Sequence, residues 1–411
     1  MNRFLKSILC LSAGLIVSDS NAALVPSSPE AEDAAPRHGR FIWSGFEGNA
    51  LMISLGRGRH WQSKDWGECV VAKGEGAPYP GTVNVDIEAV AYGGGLFVAV
   101  GTGYVHYPHQ LHNGVIFTSP NGINWTQQRL PALEAEHPHT ITYGYDQNGN
   151  GMFVVAGLVS GKKRCAVFIS QTGIGDWKRV ELGDIDFQGI LWGSVYGAGR
   201  FIISGHNNRV FLTSPNGFDW TSHSLPIIAD SDCDHIDKII FGNGIFVAIG
   251  MQKLRLISFE GDFSLESCYV DSHIILTGRD GISWEQILLK PLVNKGSMNM
   301  QREIAFGNGK FVVVGGQETA VSEDGINWTQ SPMIDPGHHC YNWNRLTSIA
   351  FGNGEFVATG CCYFRANKQA TENLQRHWTM ISQDGTHWQM GGTLNDTFRN
   401  YDPRIVYGGG E

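Results

Sequence analysis

The residues best suited to chemistry are histidines, and they are unevenly placed. Of fifteen, ten (His106, His109, His112, His137, His139, His206, His235, His273, His338 and His339) fall in long segments that do not repeat, and Arg209 stands among them. A neutral imidazole can take a proton, and a second imidazole or a tyrosine phenol can return one. A guanidinium stays charged and grips a carboxylate through two parallel hydrogen bonds. This combination suits β-elimination at a uronic acid. A cation neutralises the carboxylate and so acidifies the C5 proton, a base removes it, and an acid protonates the leaving oxygen. Arg209 fits the first task, and His206, His139 and His112 are expected to line the same side.

Other chemistries fit less well. Glycoside hydrolysis needs a close carboxylate pair, and Glu134, Glu136, Asp184, Asp186 and Asp232 offer none that is convincing. Arginines are too sparse for a sialidase, and serine-nucleophile motifs, glycine-rich phosphate loops and metalloprotease histidine spacings are absent. A net charge of −9 argues against nucleic acid as the partner. Cys69, Cys165, Cys233, Cys268, Cys340, Cys361 and Cys362 make seven cysteines beyond the leader, not the even framework of a small disulfide-stapled domain. His338, Cys340, Cys361 and Cys362 could hold a structural zinc. A disulfide from Cys340 to Cys361 or Cys362 is the alternative, and no organic cofactor is indicated.

These residues must be positioned by a repeat. Ser119–Trp125, Ser214–Trp220, Ser322–Trp328 and Ser382–Trp388 share the pattern Ser-x-Asn/Asp-Gly-x-x-Trp. Weaker copies at Ser54–Trp61, Ser170–Trp177 and Gly278–Trp284 bring the count to seven. An aromatic-Gly-x-Gly-x-Phe pattern precedes the motif, as in Tyr92–Phe97, Tyr196–Phe201, Phe241–Phe246, Phe306–Phe311 and Phe351–Phe356. Asn-Gly and Gly-Gly between apolar runs are hairpin turns. Each repeat therefore reads as a four-stranded meander, and seven make an all-β, seven-bladed β-propeller of antiparallel blades.

The ends of the chain predict how the ring closes. Arg404–Glu411 reads as an inner strand and its turn with nothing after it, and Gly39–Gly45 as a second strand with no first. Pairing them completes one blade and removes two exposed edges. Residues 39–411 are thus one domain, expected to be a monomer. Residues 1–22 have the basic start, short apolar run and Ser20-Asn21-Ala22 end of a secretory signal, and residues 23–38 read as a flexible leader. A secreted protein without a membrane span is expected.

A meander puts its two turns on one face, and its longer loops and inter-blade links on the other. The turn face holds only His60 and His387. Five residues before each motif, where the third strand should leave the loop face, stand Asn49, Gly114, Cys165, Arg209, His273, Gln317 and His377. Arg209 and His273 are expected to face a shared groove from adjacent blades.

The Ser-to-Trp motif resembles the Asp-box of sialidase-like propellers, where it is a structural turn. As a whole the chain resembles propeller-fold polysaccharide lyases, most of all the ulvan lyases of marine bacteria, which cleave a sulfated, uronate-containing polysaccharide. That resemblance implies Arg209 as the neutralising cation, His139 as the catalytic histidine with Tyr107 (or Tyr104) in place of the family's tyrosine, and His273 against the substrate; by their place on the same side, His112 is read with them in proton transfer and His109 and His206 as substrate contacts. It also implies a structural zinc and an anionic polysaccharide partner. Trp192 stands where the family would have a tyrosine, and is read as a substrate contact. A glycan-binding propeller without catalysis, in which Trp192, Trp343 and Tyr341 stack on sugars, is the alternative, and a sialidase-related hydrolase a third.

Overall fold

The computed structural model describes residues 39–44, 50–56, 60–65, 72–73, 77–78, 84–105, 111–128, 136–159, 165–183, 185, 191–205, 210–225, 231–256, 268–287, 303–315, 318–332, 342–365, 373–394 and 404–408. Among these every regular element is a strand, arranged as seven four-stranded antiparallel sheets with one additional two-stranded hairpin, Ala72–Lys73 with Ala77–Pro78. The hairpin was not expected from the sequence. The innermost strands of blades 1 to 7 are Arg404–Gly408, Asn84–Gly93, Glu136–Tyr145, Leu191–Gly197, Ser231–Gly242, Glu303–Gly307 and Asn342–Gly352. Each touches the next and the last touches the first, so the ring is closed. Arg404–Gly408 pairs with Arg40–Ser44, in the register Arg40↔Gly408 to Ser44↔Arg404, as the chain ends predicted.

The aromatic-Gly pair explains how one blade seats on another. A Cβ on Gly93 would lie 2.0 Å from the Tyr143 ring of the next blade, and one on Gly307 would lie 1.9 Å from Phe351. The same contact joins Gly144 to Tyr196, Gly197 to Phe241, Gly242 to Phe306, Gly352 to Tyr407 and Gly408 to Tyr92. Seven aromatic rings thus each lie flat on the bare backbone of the preceding blade, closing a circle. Above this circle the core is made of inter-blade layers. One layer sets Met152, Val154 and Val167 of blade 3 against Leu191, Phe201 and Leu212 of blade 4. Burial of such side chains contributes about 1.5–3 kcal/mol each.

The Ser-to-Trp turns carry a fixed set of hydrogen bonds. In blade 6, Ser322 Oγ accepts from the Gly325 amide at 2.8 Å. Asp324 Oδ1 accepts from the Ile326 and Asn327 amides at 2.9 and 2.7 Å. Trp328 Nε1 donates to the Gly325 carbonyl at 3.0 Å. Asn121 and Asn216 replace the aspartate in blades 2 and 4 with the same acceptor geometry. In blade 3 the acid comes later in the turn: Asp176 accepts from the Gln171 and Thr172 amides and from Ser170. These side chains are occupied in holding their own turns.

Candidate functional site

Several segments read as loops are strand extensions. His112 lies in the third strand Leu111–Ser119, and His137 and His139 in the inner strand Glu136–Tyr145. His235 lies in Ser231–Gly242 and His273 in Cys268–Gly278. The strands run on because their apolar alternation gives way to polar residues that still pair, a continuation that period-2 hydrophobicity does not reveal.

The inner strands share a departure from regular pairing at one level. In blade 2 the ladder slips between Ile87 and Ala89, leaving Glu88 as the extra residue of a β-bulge. Blade 3 slips at His139, blade 4 at Trp192, blade 5 at Asp237 and blade 7 at Thr347. Each stands five residues before the seating glycine (Gly93, Gly144, Gly197, Gly242, Gly352). Arg302 and Pro403 hold this position in blades 6 and 1, outside the described residues. A bulge sets two residues against one, twists the strand locally and re-aims a side chain. What permits it is a glycine across the ladder. Gly101 faces Ile87 and Gly157 faces Pro138, and a Cβ on either would lie 2.0 or 2.1 Å from the carbonyl oxygen of Asp86 or His137.

The bulge residues differ from their neighbours in exposure. One residue earlier, Ile87, Leu191, Ile236 and Leu346 are at most 4% exposed. Glu88, His139 and Trp192 remain partly exposed, while Asp237 and Thr347 are buried at 9% and 7%. An innermost strand is covered on its outer edge by the second strand and on both faces by adjacent blades. Blades 2, 3 and 4 thus place a carboxylate, an imidazole and an indole at one ring level, whereas both carboxylate oxygens of Asp237 and Nε2 of His139 are buried.

Polar contacts between inner strands fix the blades that carry this arc. Thr140 Oγ1 and Ser194 Oγ are 2.7 Å apart. Ser348 Oγ accepts from the Ile405 amide at 3.1 Å. Lys238 Nζ lies 3.2 Å from Glu303 Oε2, with both side chains nearly buried. His137 Nδ1 lies 3.4 Å from Thr102 Oγ1 of the preceding blade. Thr347 donates to the Thr359 carbonyl at 3.3 Å, so its hydroxyl is spent on its own blade.

The residues picked out from the sequence divide as follows. His139 and Trp192 are both bulge residues, on adjacent inner strands. His112 and His273 have defined strand positions, opposite Tyr104 and Met251. Arg209, Tyr107, His109, His206, His338 and Cys340 lie outside the described residues. Sequence reasoning passed over Glu88 and Asp237. The signal that could have found them is Phe-x-x-x-Gly, present in all seven repeats from Phe41–Gly45 to Phe356–Gly360, whose glycine borders the bulge in the five blades where the bulge is described.

Two described members of the position five before the motif do not open to a groove. Cys165 is 8% exposed and packs with Leu191 and Leu212 of blade 4, and His377 is fully buried. Burial pushes the Cys165 thiol up to about 11, which keeps it protonated at neutral pH and unsuited to act as a nucleophile. In blade 7, Cys361 is fully buried and stands directly across the ladder from His377. Among the described residues no three metal-ligating side chains form a cluster.

No family model and no curated protein matches the chain. Among solved structures, YCF48 bound to D1 peptide is similar at 14% identity over 85% of this chain and 89% of that one, with a TM-score of 0.46. The α-L-arabinofuranosidase Arb93A from Fusarium graminearum is similar at 14% identity over 69% of this chain and 89% of its own, with a TM-score of 0.42. A glycosyl hydrolase from Bacteroides ovatus has 12% identity over 60% of this chain and 85% of its own, with a TM-score of 0.33. Similarity this distant transfers no activity to the chain, whose own strands establish it as a seven-bladed β-propeller.

Proposed function

We propose that the protein is an exported polysaccharide lyase that cleaves a uronate-containing glycan by β-elimination at the loop face of the ring. The observation behind this reading is that His139 and Trp192 share one bulge level on adjacent inner strands, at the end from which the 206–209 connection of blade 4 also springs. His139, with His112 and Tyr107, would carry protons. Arg209 would neutralise the uronate, and His109, His206 and His273 would hold the chain. A structural zinc on His338, Cys340, Cys361 and Cys362, with His377 opposite Cys361 in the ladder as a further candidate, would pin the long links of blade 7. Elemental analysis finding zinc near one per chain supports that centre, and a mapped Cys340 disulfide removes it.

A second reading has one observation in its favour. Glu88 brings a partly exposed carboxylate to the bulge level and Asp237 a buried one at the same level three blades on, and carboxylates are the groups that glycoside hydrolysis uses. Incubation with ulvan, alginate and polygalacturonate separates the two chemistries. Elimination produces a double bond and a rise in ultraviolet absorbance, whereas hydrolysis releases reducing ends without it. Arg209→Ala should lower elimination about 100- to 1,000-fold, the usual effect of removing a donor aimed at developing charge, with melting unchanged. Retention of more than about a tenth of the activity would remove Arg209 from the mechanism.

A further inference from the structure

We propose that Asn148, in the inner turn of blade 3, is a site of spontaneous covalent modification, at which the side-chain amide is lost through a succinimide ring closed by Gly149. The inference does not rest on the glycan reading, because this turn follows Tyr145, at the opposite end of the inner strand Glu136–Tyr145 from His139. The turn departs from the repeat. Three residues separate the seating glycine from the next phenylalanine in blades 2, 4, 5, 6 and 7, whereas eight separate Gly144 from Phe153. Asp146 closes the longer turn, its amide donating to the Asn150 carbonyl at 2.9 Å and its carbonyl accepting from the Gly149 amide at 3.0 Å.

The reaction needs no partner beyond water. The Gly149 nitrogen bonds to Cγ of Asn148, the Cγ–Nδ2 bond breaks, and ammonia leaves with the proton that the Gly149 amide gives up. Water then opens either carbonyl–nitrogen bond of the ring. The product carries a carboxylate on the normal backbone (aspartate) or on a backbone longer by a methylene (isoaspartate). Two conditions decide where this happens. The carboxamide must be able to turn back onto the following amide, and the following residue must have no Cβ in the way, which makes it glycine.

Eight Asn-Gly pairs meet the second condition, and seven fail the first. Asn113 and Asn121 are buried. Asn121 and Asn216 each accept from two amides of their own turn, and Gly122 and Gly217 spend their N–H on buried serine hydroxyls. Asn243 and Asn308 are clasped to carbonyls of the next blade, and Asn353 accepts from the Tyr407 hydroxyl at 3.3 Å. Asn150 donates to Asp146 Oδ2 at 2.9 Å, and Gly151 after it stands in the ladder opposite Tyr145. Asn148 is exposed. Among the described residues its carboxamide meets the Asp146 carboxylate, as the least of the contacts which that group receives. The Gly149 amide is bonded only within an exposed turn, the kind of segment that opens most readily.

Each event adds one negative charge to the −9 of the chain and sets it beside the Asp146 carboxylate, where like charges repel. The test is a time course of the full-length folded protein at mildly alkaline pH, where the amide proton leaves more readily, read by peptide mass mapping that separates aspartate from isoaspartate. Both products should accumulate at position 148 several-fold faster than at any other Asn-Gly pair, with a more acidic species on anion exchange. In denaturant, where the fastening contacts are gone, the eight pairs should convert at similar rates. Asn148→Gln, on an exposed side chain, should abolish the acidic species, because the longer side chain has to close a larger ring. Conversion at a fastened pair as fast as at Asn148 overturns the proposal. So does a folded protein that stays unmodified at position 148 while the denatured chain converts there, and so does an acidic species that persists in Asn148→Gln.

Discussion

Gly408→Ala tests the closing contact of the ring directly. A Cβ on Gly408 would lie 2.4 Å from both Cβ and Cγ of Tyr92 and 2.5 Å from Cε1 of Phe97. Carbon atoms prefer to stand about 3.5–4.0 Å apart, so roughly 1 Å of extra room is needed on two sides at once. Blade 2 must yield, or the strand Arg404–Gly408 must move away from it. Overpacking of this kind costs about 1–3 kcal/mol. A domain of 150–250 residues loses about 2–4 °C per kcal/mol, so this larger unit should melt roughly 2–6 °C lower. Gly307→Ala supplies the comparison, because its Cβ would lie 1.9 Å from Phe351 but between two blades joined in sequence. At Gly408 the strand can escape by parting from Arg40–Ser44, its ladder partner. Both variants should melt lower. Only Gly408→Ala should also show faster amide hydrogen exchange over Arg40–Ser44. A Gly408→Ala protein that melts within about 1 °C of wild type, with unchanged exchange there, would show that the aromatic-on-glycine contact does not hold the closure.

The remaining predictions concern the turns and the closing strand. Asn243 and Asn308 each use Nδ2 to donate to two carbonyls of the next blade, Gly309 and Glu323 for the first and Gly354 and Gln383 for the second. Ala198 has the same positive φ of 46° without the amide. Asparagine tolerates this conformation better, and its bonds add about 0.5–1.5 kcal/mol each, so Ala198→Asn should raise the melting temperature, and no rise would show the clasp to be without net effect. The Asn327 and Ile326 amides hold the Asp324 carboxyl well below the usual carboxylate range. Because the folded pKa is depressed, this stabilisation is complete above the unfolded value of about 4 and is lost as pH falls below it. Asp324→Asn, which copies Asn121 and Asn216, should therefore flatten the acid limb of a melting-temperature profile, and a limb as steep as in wild type would contradict this. Deleting Arg404 to Glu411 strips blade 1 of its inner strand and should abolish cooperative unfolding, as judged by calorimetry.

The chain order of strands and turns was legible in the sequence, because hairpin turns are local. Asn-Gly and Gly-Gly pairs meet the need for positive φ within a few residues, and Asn243, Asn308 and Asn353 adopt it. The Ser-to-Trp turns close on their own side chains, so their copies could be counted to seven. Closure was legible too, since a strand without a partner at each end leaves one way to pair them.

The bulge level was not legible, because it is a relation between two strands. Glu88 and Asp237 look like ordinary acids in the linear chain, and only the register against Gly101 and Gly250 turns each into the odd residue of a ladder. Depth was hidden for the same reason. His377 follows a polar stretch and was expected where the third strand leaves the loop face, yet it is completely buried, directly across the ladder from Cys361. Local chemistry set the turns and the number of blades. The tertiary structure decided which polar side chains on those blades keep some exposure and which are sealed between sheets, because that depends on register and on the neighbouring blade.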